Sequence, residues 1–170
     1  LQDVTEKVKA NDRLHFLAEH DPLTGILNRR GIEKEFDEAV AMLGDGVSMS
    51  LAYLDLDRFK LINDLFGHLA GDEVLKQVCE RVRNMLTEGQ SMGRVGGDEF
   101  VIVFKGTPID SAAWVCRGIV DRIGNLPYQI GDRAFQVKGS IGLMEISESI
   151  RVKDAVSVAD RACREAKSGN

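Results

Sequence analysis

RVGGDEFVIVF, residues 94–104, decides the fold class. Two adjacent glycines stand between apolar flanks, and the second arm is a continuous run of large apolar residues. That is the signature of a β-hairpin. A hairpin in the middle of the chain is incompatible with a purely parallel array, so the sheet is expected to be mainly antiparallel with helices packed on it, an α+β arrangement. The hairpin turn itself carries acid, Asp98 and Glu99.

Upstream, Ile32, Phe36, Val40 and Leu43 recur at helical spacing, and Gly44 with Gly46 ends that helix. A buried strand over 47–54 follows. Phe59 and Ile62 predict a short helix, and after Gly71 the series Val74, Leu75, Val78, Val82 and Leu86 predicts a longer one. Downstream of the hairpin the spacing predicts a helix over 111–123, strands over 135–137 and 140–144, and a closing helix over 154–166. Residues 1–19 read as a helix with Leu1, Val4, Val8, Asn11, His15 and Ala18 at heptad positions, two of them polar. Either a coiled-coil seam or an amphipathic helix folded onto its own domain accounts for that pattern. His20, Asp21 and Pro22 break it. The expected organisation is a linker or signalling helix over 1–20 and one globular domain over 21–170.

With 170 residues the chain has the size of one domain able to bury a core without staples. Its net charge of −5 argues against a general nucleic-acid surface, which needs clustered Lys and Arg. The apolar runs are strand-sized, far below the roughly 20 residues of a membrane helix. The N-terminus lacks the apolar stretch of a secretory signal, so the segment is expected in the cytoplasm and without membrane contact. Cys79, Cys116 and Cys163 are odd in number and far apart, which predicts buried thiols rather than disulfides or a metal pair.

The chemistry is carried by acids at strand ends. Asp55 and Asp57 flank Leu56 where an apolar strand leaves the core, and paired carboxylates there suit a hard divalent cation. Asp98 and Glu99 offer a second pair, and two edges of one sheet can bring both pairs together. Solvated turn residues would look the same for either pair taken alone. Gly96 and Gly97 permit positive φ and close approach of a phosphate or base. The start of a helix near 57–60 turns backbone N–H groups toward an anion, with Lys60 as an added point charge or as an ordinary surface lysine. Asn63 and Asp72 could hydrogen-bond a purine edge, an Asp accepting from N1–H and N2–H2 of guanine. Asp72 would equally serve as the N-cap of the following helix. His68, in the loop just past Gly67, is expected to order that loop rather than to catalyse.

In order along the chain, DPLTGILNRRG, LDLDRFKLINDLFGHLAGDEVL, RVGGDEF, SIGLM and ADRACREAK resemble the GGDEF family of diguanylate cyclases, from Asp21 to Lys167. The resemblance implies a nucleotidyl-cyclase or polymerase-palm type of sheet and one GTP per protomer. Two protomers would face each other as a homodimer and condense two GTP into cyclic di-GMP and two pyrophosphates. By position it implies magnesium or manganese on Asp55, Asp98, the Leu56 carbonyl and Glu99, with Asp98 also the catalytic carboxylate and Lys60 the second catalytic residue. Guanine would meet Asn63 and Asp72, and phosphates would meet Lys60, Lys167 and the backbone at Arg58 and Phe59, beside Gly96 and Gly97. An upstream sensory module and, from the ADRACREAK ending, a downstream EAL-type phosphodiesterase are the implied covalent neighbours. In the second case the domain would bind GTP as a regulator.

The departures are specific. Many members carry an RxxD product-inhibition site where Thr87, Glu88, Gly89 and Gln90 stand, so no inhibition through that site is expected. Arg164 occupies a position where the family usually has tyrosine. A basic residue that usually follows is not seen before Asn170, so weaker phosphate binding is expected and the chain reads as a piece of something larger.

Overall fold

The computed structural model describes residues 4–168. Its elements run α1 (Val4–Glu19), α2 (Arg29–Ala41), β1 (Met49–Leu56), α3 (Phe59–Phe66), α4 (His68–Arg83), β2 (Gln90–Arg94), β3 (Glu99–Phe104), α5 (Ile109–Gly124), β4 (Tyr128–Ile130), β5 (Arg133–Phe135), β6 (Gly139–Ile146) and α6 (Val152–Ser168). The main sheet has the order β2-β3-β1-β6, and every neighbouring pair is antiparallel. The hairpin over 90–104 and the α+β class are therefore as the glycine pair and apolar arm implied.

Side-chain alternation along β1 sorts the core into two layers. Ala52, Leu54 and Leu56, with Phe100, Ile102 and Phe104, pack against Val74, Leu75 and Val78 of α4 and Cys116, Ile119 and Ile123 of α5. Met49, Leu51 and Tyr53, with Val101 and Val103, pack against Ile32 and Phe36 of α2 and Ala155, Ala159 and Cys163 of α6. A strand sandwiched between helical layers needs apolar residues at both parities, which explains the unbroken run over 100–104.

Gly142 of β6 decides how close α6 comes. A Cβ there would collide with the carbonyl of Ala159 and the amide of Cys163, so only glycine lets the helix backbone rest on the strand. The three cysteines are free and buried, as expected.

Several boundaries differ from expectation. The long central helix begins at His68 rather than after Gly71, because Gly67 breaks the chain at φ 90 and N-caps α4 directly. His68 is therefore the first helical residue, not a loop residue, and Asp72 lies in the second turn and caps nothing. The strand expected over 135–137 ends at Phe135 and pairs with β4, which has no counterpart in the expectation. Three-residue strands are too short to show alternation. α1 has no buried residue, with Val4, Val8, Leu14, Phe16 and Leu17 all exposed. It is therefore not folded onto the domain, and its contacts gather at its C-terminal end, where Lys34 of α2 reaches Glu19 at 3.1 Å. Leu1, the first heptad position, lies outside the described residues.

Candidate functional site

Asp55 is the last but one residue of β1 and shares the parity of Tyr53, so its carboxylate emerges on the α2/α6 face of the sheet. Sheet register puts it directly opposite Glu99 on β3 and opposite Ser140 on β6. The two acidic pairs, 43 residues apart in sequence by their first members, thus meet at one end of the two central strands. Leu56 has the other parity and buries its side chain at 2% exposure, leaving only its backbone to face a ligand.

The electrostatics follow from that crowding. Burial, and then the charge of Asp55, push the Asp98 carboxyl above the ordinary aspartate value, Glu99 adding to the effect and Lys167 opposing it. Burial, then the negative charge of Glu99, raises the Tyr53 phenol well above its ordinary value and keeps it protonated. Lys167, two turns beyond Ala159 on α6, donates to Asp55 Oδ2 at 2.7 Å and lies 3.2 Å from Asp57 Oδ1. Asp57 also accepts from Ser140 Oγ at 3.1 and 3.2 Å.

Among the described residues no three His, Cys, Asp or Glu side chains converge in a metal-holding arrangement. The donor chemistry nevertheless fits a hard divalent cation. Asp55, Asp98 and Glu99 share one electrostatic neighbourhood, and the positive charge that answers it is a lysine already engaged by Asp55 and Asp57.

The hairpin turn is held by Arg94, which donates from Nε to Gly96 O at 3.2 Å and from Nη2 to Gly97 O at 2.8 Å. Neither turn glycine adopts positive φ, so of the two expected uses only the lack of a side chain applies: a Cβ at Gly96 would stand 2.5 Å from the Glu99 carboxylate, and one at Gly97 would meet nothing within 4 Å.

Beyond the end of β1, α3 starts at Phe59 after Arg58, which takes the left-handed conformation at φ 58, and no side chain caps the helix. Its first-turn backbone N–H groups are thus free of a side-chain partner, and Phe59 is buried beneath them. Lys60 is exposed there and makes no ion pair among the described residues. Asn63 lies against Gly71, where a Cβ would collide with its Oδ1, so the α3–α4 crossing sets Asn63 against the helix turn that also carries Asp72. The substitutes for an RxxD motif, Thr87 to Gln90, form a turn before β2 closed by the Gln90 side chain accepting from Thr87 N at 3.0 Å.

Two contributors escaped the sequence reading. Ser140 stood only inside a strand motif, and its reach to Asp57 depends on strand register. Arg94 stood inside the hairpin motif without a role. Asp57, expected beside Asp55 as half of a cation-binding pair, instead contacts Lys167 and Ser140.

A family model described as diguanylate cyclase, GGDEF domain, matches residues 18–170. The probable diguanylate cyclase DgcE of Escherichia coli (strain K12) is 32% identical over 171 residues, covering 99% of this chain and 16% of that protein. The cyclic di-GMP phosphodiesterase PdeR of the same organism is 34% identical over 170 residues, covering 98% of this chain and 25% of that protein. The chain thus spans a quarter or less of the length of these curated relatives. The solved structure of diguanylate cyclase SiaD in complex with its activator SiaC, from Pseudomonas aeruginosa, aligns with a TM-score of 0.85 at 32% identity, covering 98% of this chain and 64% of that one. With a family model matched over residues 18–170, the chain belongs to the GGDEF diguanylate cyclase domain family.

Proposed function

We propose that this chain is the nucleotide-condensing domain of a cytoplasmic signalling protein, a diguanylate cyclase that joins two GTP into cyclic di-GMP and releases two pyrophosphates. The observation that carries this reading is the pairing of Asp55 with Glu99. It sets the β1 acids beside the hairpin acids at a strand end reached also by the N-terminus of α3.

Asp55, Asp98, Glu99 and the Leu56 carbonyl are the proposed ligands of magnesium or manganese. A cation bound there would neutralise phosphate charge and orient the attacking hydroxyl. Lys60 and the backbone N–H groups at Arg58 and Phe59 would receive phosphate oxygens, helped by the helix N-terminus. Lys167 would add a second positive charge on the opposite side. Asn63 and Asp72 would read guanine, the Asp72 carboxylate accepting from N1–H and N2–H2. Gly96 and Gly97 would leave room for the nucleotide above the hairpin turn. Asp98, in the hairpin turn beside the proposed cation, is the carboxylate assigned to take the proton of a 3′-hydroxyl as its oxygen attacks an α-phosphate and pyrophosphate leaves.

One protomer supplies only one GTP, so a facing homodimer is required, and α1 is the natural link from an upstream sensory module. A second reading rests on the match to a cyclic di-GMP phosphodiesterase: the domain would bind GTP and regulate an adjacent EAL-type unit without condensing nucleotides.

The test is product formation from GTP and magnesium, resolved by chromatography at low and high protein concentration, with Asp98→Ala beside the wild type. Cyclic di-GMP from the wild type alone, with a rate per protomer that rises with concentration, is the expected result. GTP binding without product at any concentration would transfer the case to the regulatory reading. Absence of GTP binding would sink both.

A further inference from the structure

Asp55 and Asp57 share one ammonium, yet they hold it unequally. Asp57 is tethered on all sides: its backbone N–H donates to Lys138 O at 2.8 Å, and Ser140 Oγ donates to both of its carboxylate oxygens. Ser140 is 7% exposed, and its carbonyl accepts from Cys163 Sγ at 3.2 Å. Asp55 has Lys167 as its only side-chain partner among the described residues. Ala159, Cys163 and Lys167 follow one another at i, i+4 and i+8 on α6, so the face that rests on Gly142 also aims the lysine. The ammonium therefore has one fixed carboxylate and one exchangeable carboxylate.

We propose that Lys167 is a resident counterion that occupies Asp55 in the nucleotide-free protein. Asp57 and Ser140 dock it, and it yields Asp55 to a divalent cation when a nucleotide phosphate arrives to receive the ammonium. This rests on the reading of Asp55 as a metal ligand given above. Without nucleotide, a cation at Asp55 must displace a lysine that has nowhere better to go. With nucleotide, the phosphate provides that place while Asp57 keeps the side chain nearby. Metal and nucleotide then favour each other's binding, and the coupling is reciprocal. Asp57 and Ser140 are positioning residues in this scheme, since they act through Lys167.

Manganese binding to nucleotide-free protein, followed by the loss of the free Mn2+ electron paramagnetic resonance signal, tests the proposal without recourse to activity. Lys167→Met should bind Mn2+ about threefold to tenfold more tightly than the wild type, the scale of a partly exposed ion pair. Lys167→Arg should resemble the wild type, and Asp55→Asn should lose the site. Equal or weaker Mn2+ affinity in Lys167→Met, with the site still lost in Asp55→Asn, would overturn the counterion while leaving the metal reading intact. Unchanged Mn2+ binding in Asp55→Asn would overturn both. Unsubstituted protein gives an independent readout should a variant fold poorly: acetylation of the Lys167 amine, followed by mass spectrometry, should accelerate once Mn2+ is raised to concentrations that fill the site seen by electron paramagnetic resonance. A rate indifferent to Mn2+ at those concentrations contradicts the displacement.

Discussion

Arg94 Nη1 lies 3.2 Å from Asp21 Oδ2, while the same guanidinium donates to the carbonyls of Gly96 and Gly97. One side chain thus joins the segment leaving α1 to the acidic hairpin turn. Asp21 is itself fixed by donors from Thr24, the backbone N–H at 3.0 Å and Oγ1 at 2.8 Å. The backbone runs the same way, Leu27 N donating to Met92 O and Arg94 N to Leu27 O. A displacement at the end of α1 therefore has a short mechanical path to the turn that carries Asp98.

That pair sets a pH-dependent stability. Burial alone would raise the Asp21 carboxyl, but the Thr24 donors and Arg94 outweigh it, and the group titrates below its ordinary value of 3.8. A depressed carboxyl contributes stability that is complete above the ordinary value and is lost as pH falls through the depressed one. Asp21→Asn should cost about 1 to 2 kcal/mol at pH 7, both partners being less than a fifth exposed. Urea unfolding from pH 7 downward should show the two proteins converging below pH 3.8. A gap that persists in acid would exclude the ion pair as its source.

Gly142→Ala is expected to destabilise the domain by about 2 to 3 kcal/mol, because the added methyl meets helix backbone rather than a yielding side chain. For a chain of this size that corresponds to a fall in Tm of about 4 to 12 °C. An unaltered Tm would mean that α6 does not rest on β6 as described.

Guanine selection should reside in Asp72. Asp72→Ala would leave two base donors without a charged acceptor, a loss of about 1.5 to 3 kcal/mol, or at least tenfold in the preference for GTP over ATP. Competition of the two nucleotides for a fluorescent GTP analogue measures it. An undiminished preference would place base recognition elsewhere.

The cysteines should be chemically silent. Burial pushes the thiols of Cys79 and Cys116 up to about 12 and that of Cys163 up to about 11, so the thiolate is scarce at pH 8. A disulfide reagent should titrate none of the three rapidly in native protein and all three after unfolding. A fast native thiol would show that one of these helices opens readily.

The linear sequence determined this chain's class, an antiparallel sheet with helices packed on it, and the residue types offered for chemistry. Apolar spacing marked the helices, the glycine pair before an unbroken apolar arm marked the antiparallel hairpin, and the acids, amide and lysines announced themselves by type and order. Those features are local, set by periodicity and backbone preference over a few residues. What the tertiary structure alone decided is which of them touch. Strand register placed Asp55 opposite both Glu99 and Ser140. The missing side chains at Gly71 and Gly142 let α3 meet α4 and α6 meet β6. From those contacts came the approach of Asn63 to Gly71 and the lysine of α6 lying on two carboxylates more than a hundred residues earlier. Register and close approach are settled by packing between segments far apart in the chain, and no window of sequence contains that information.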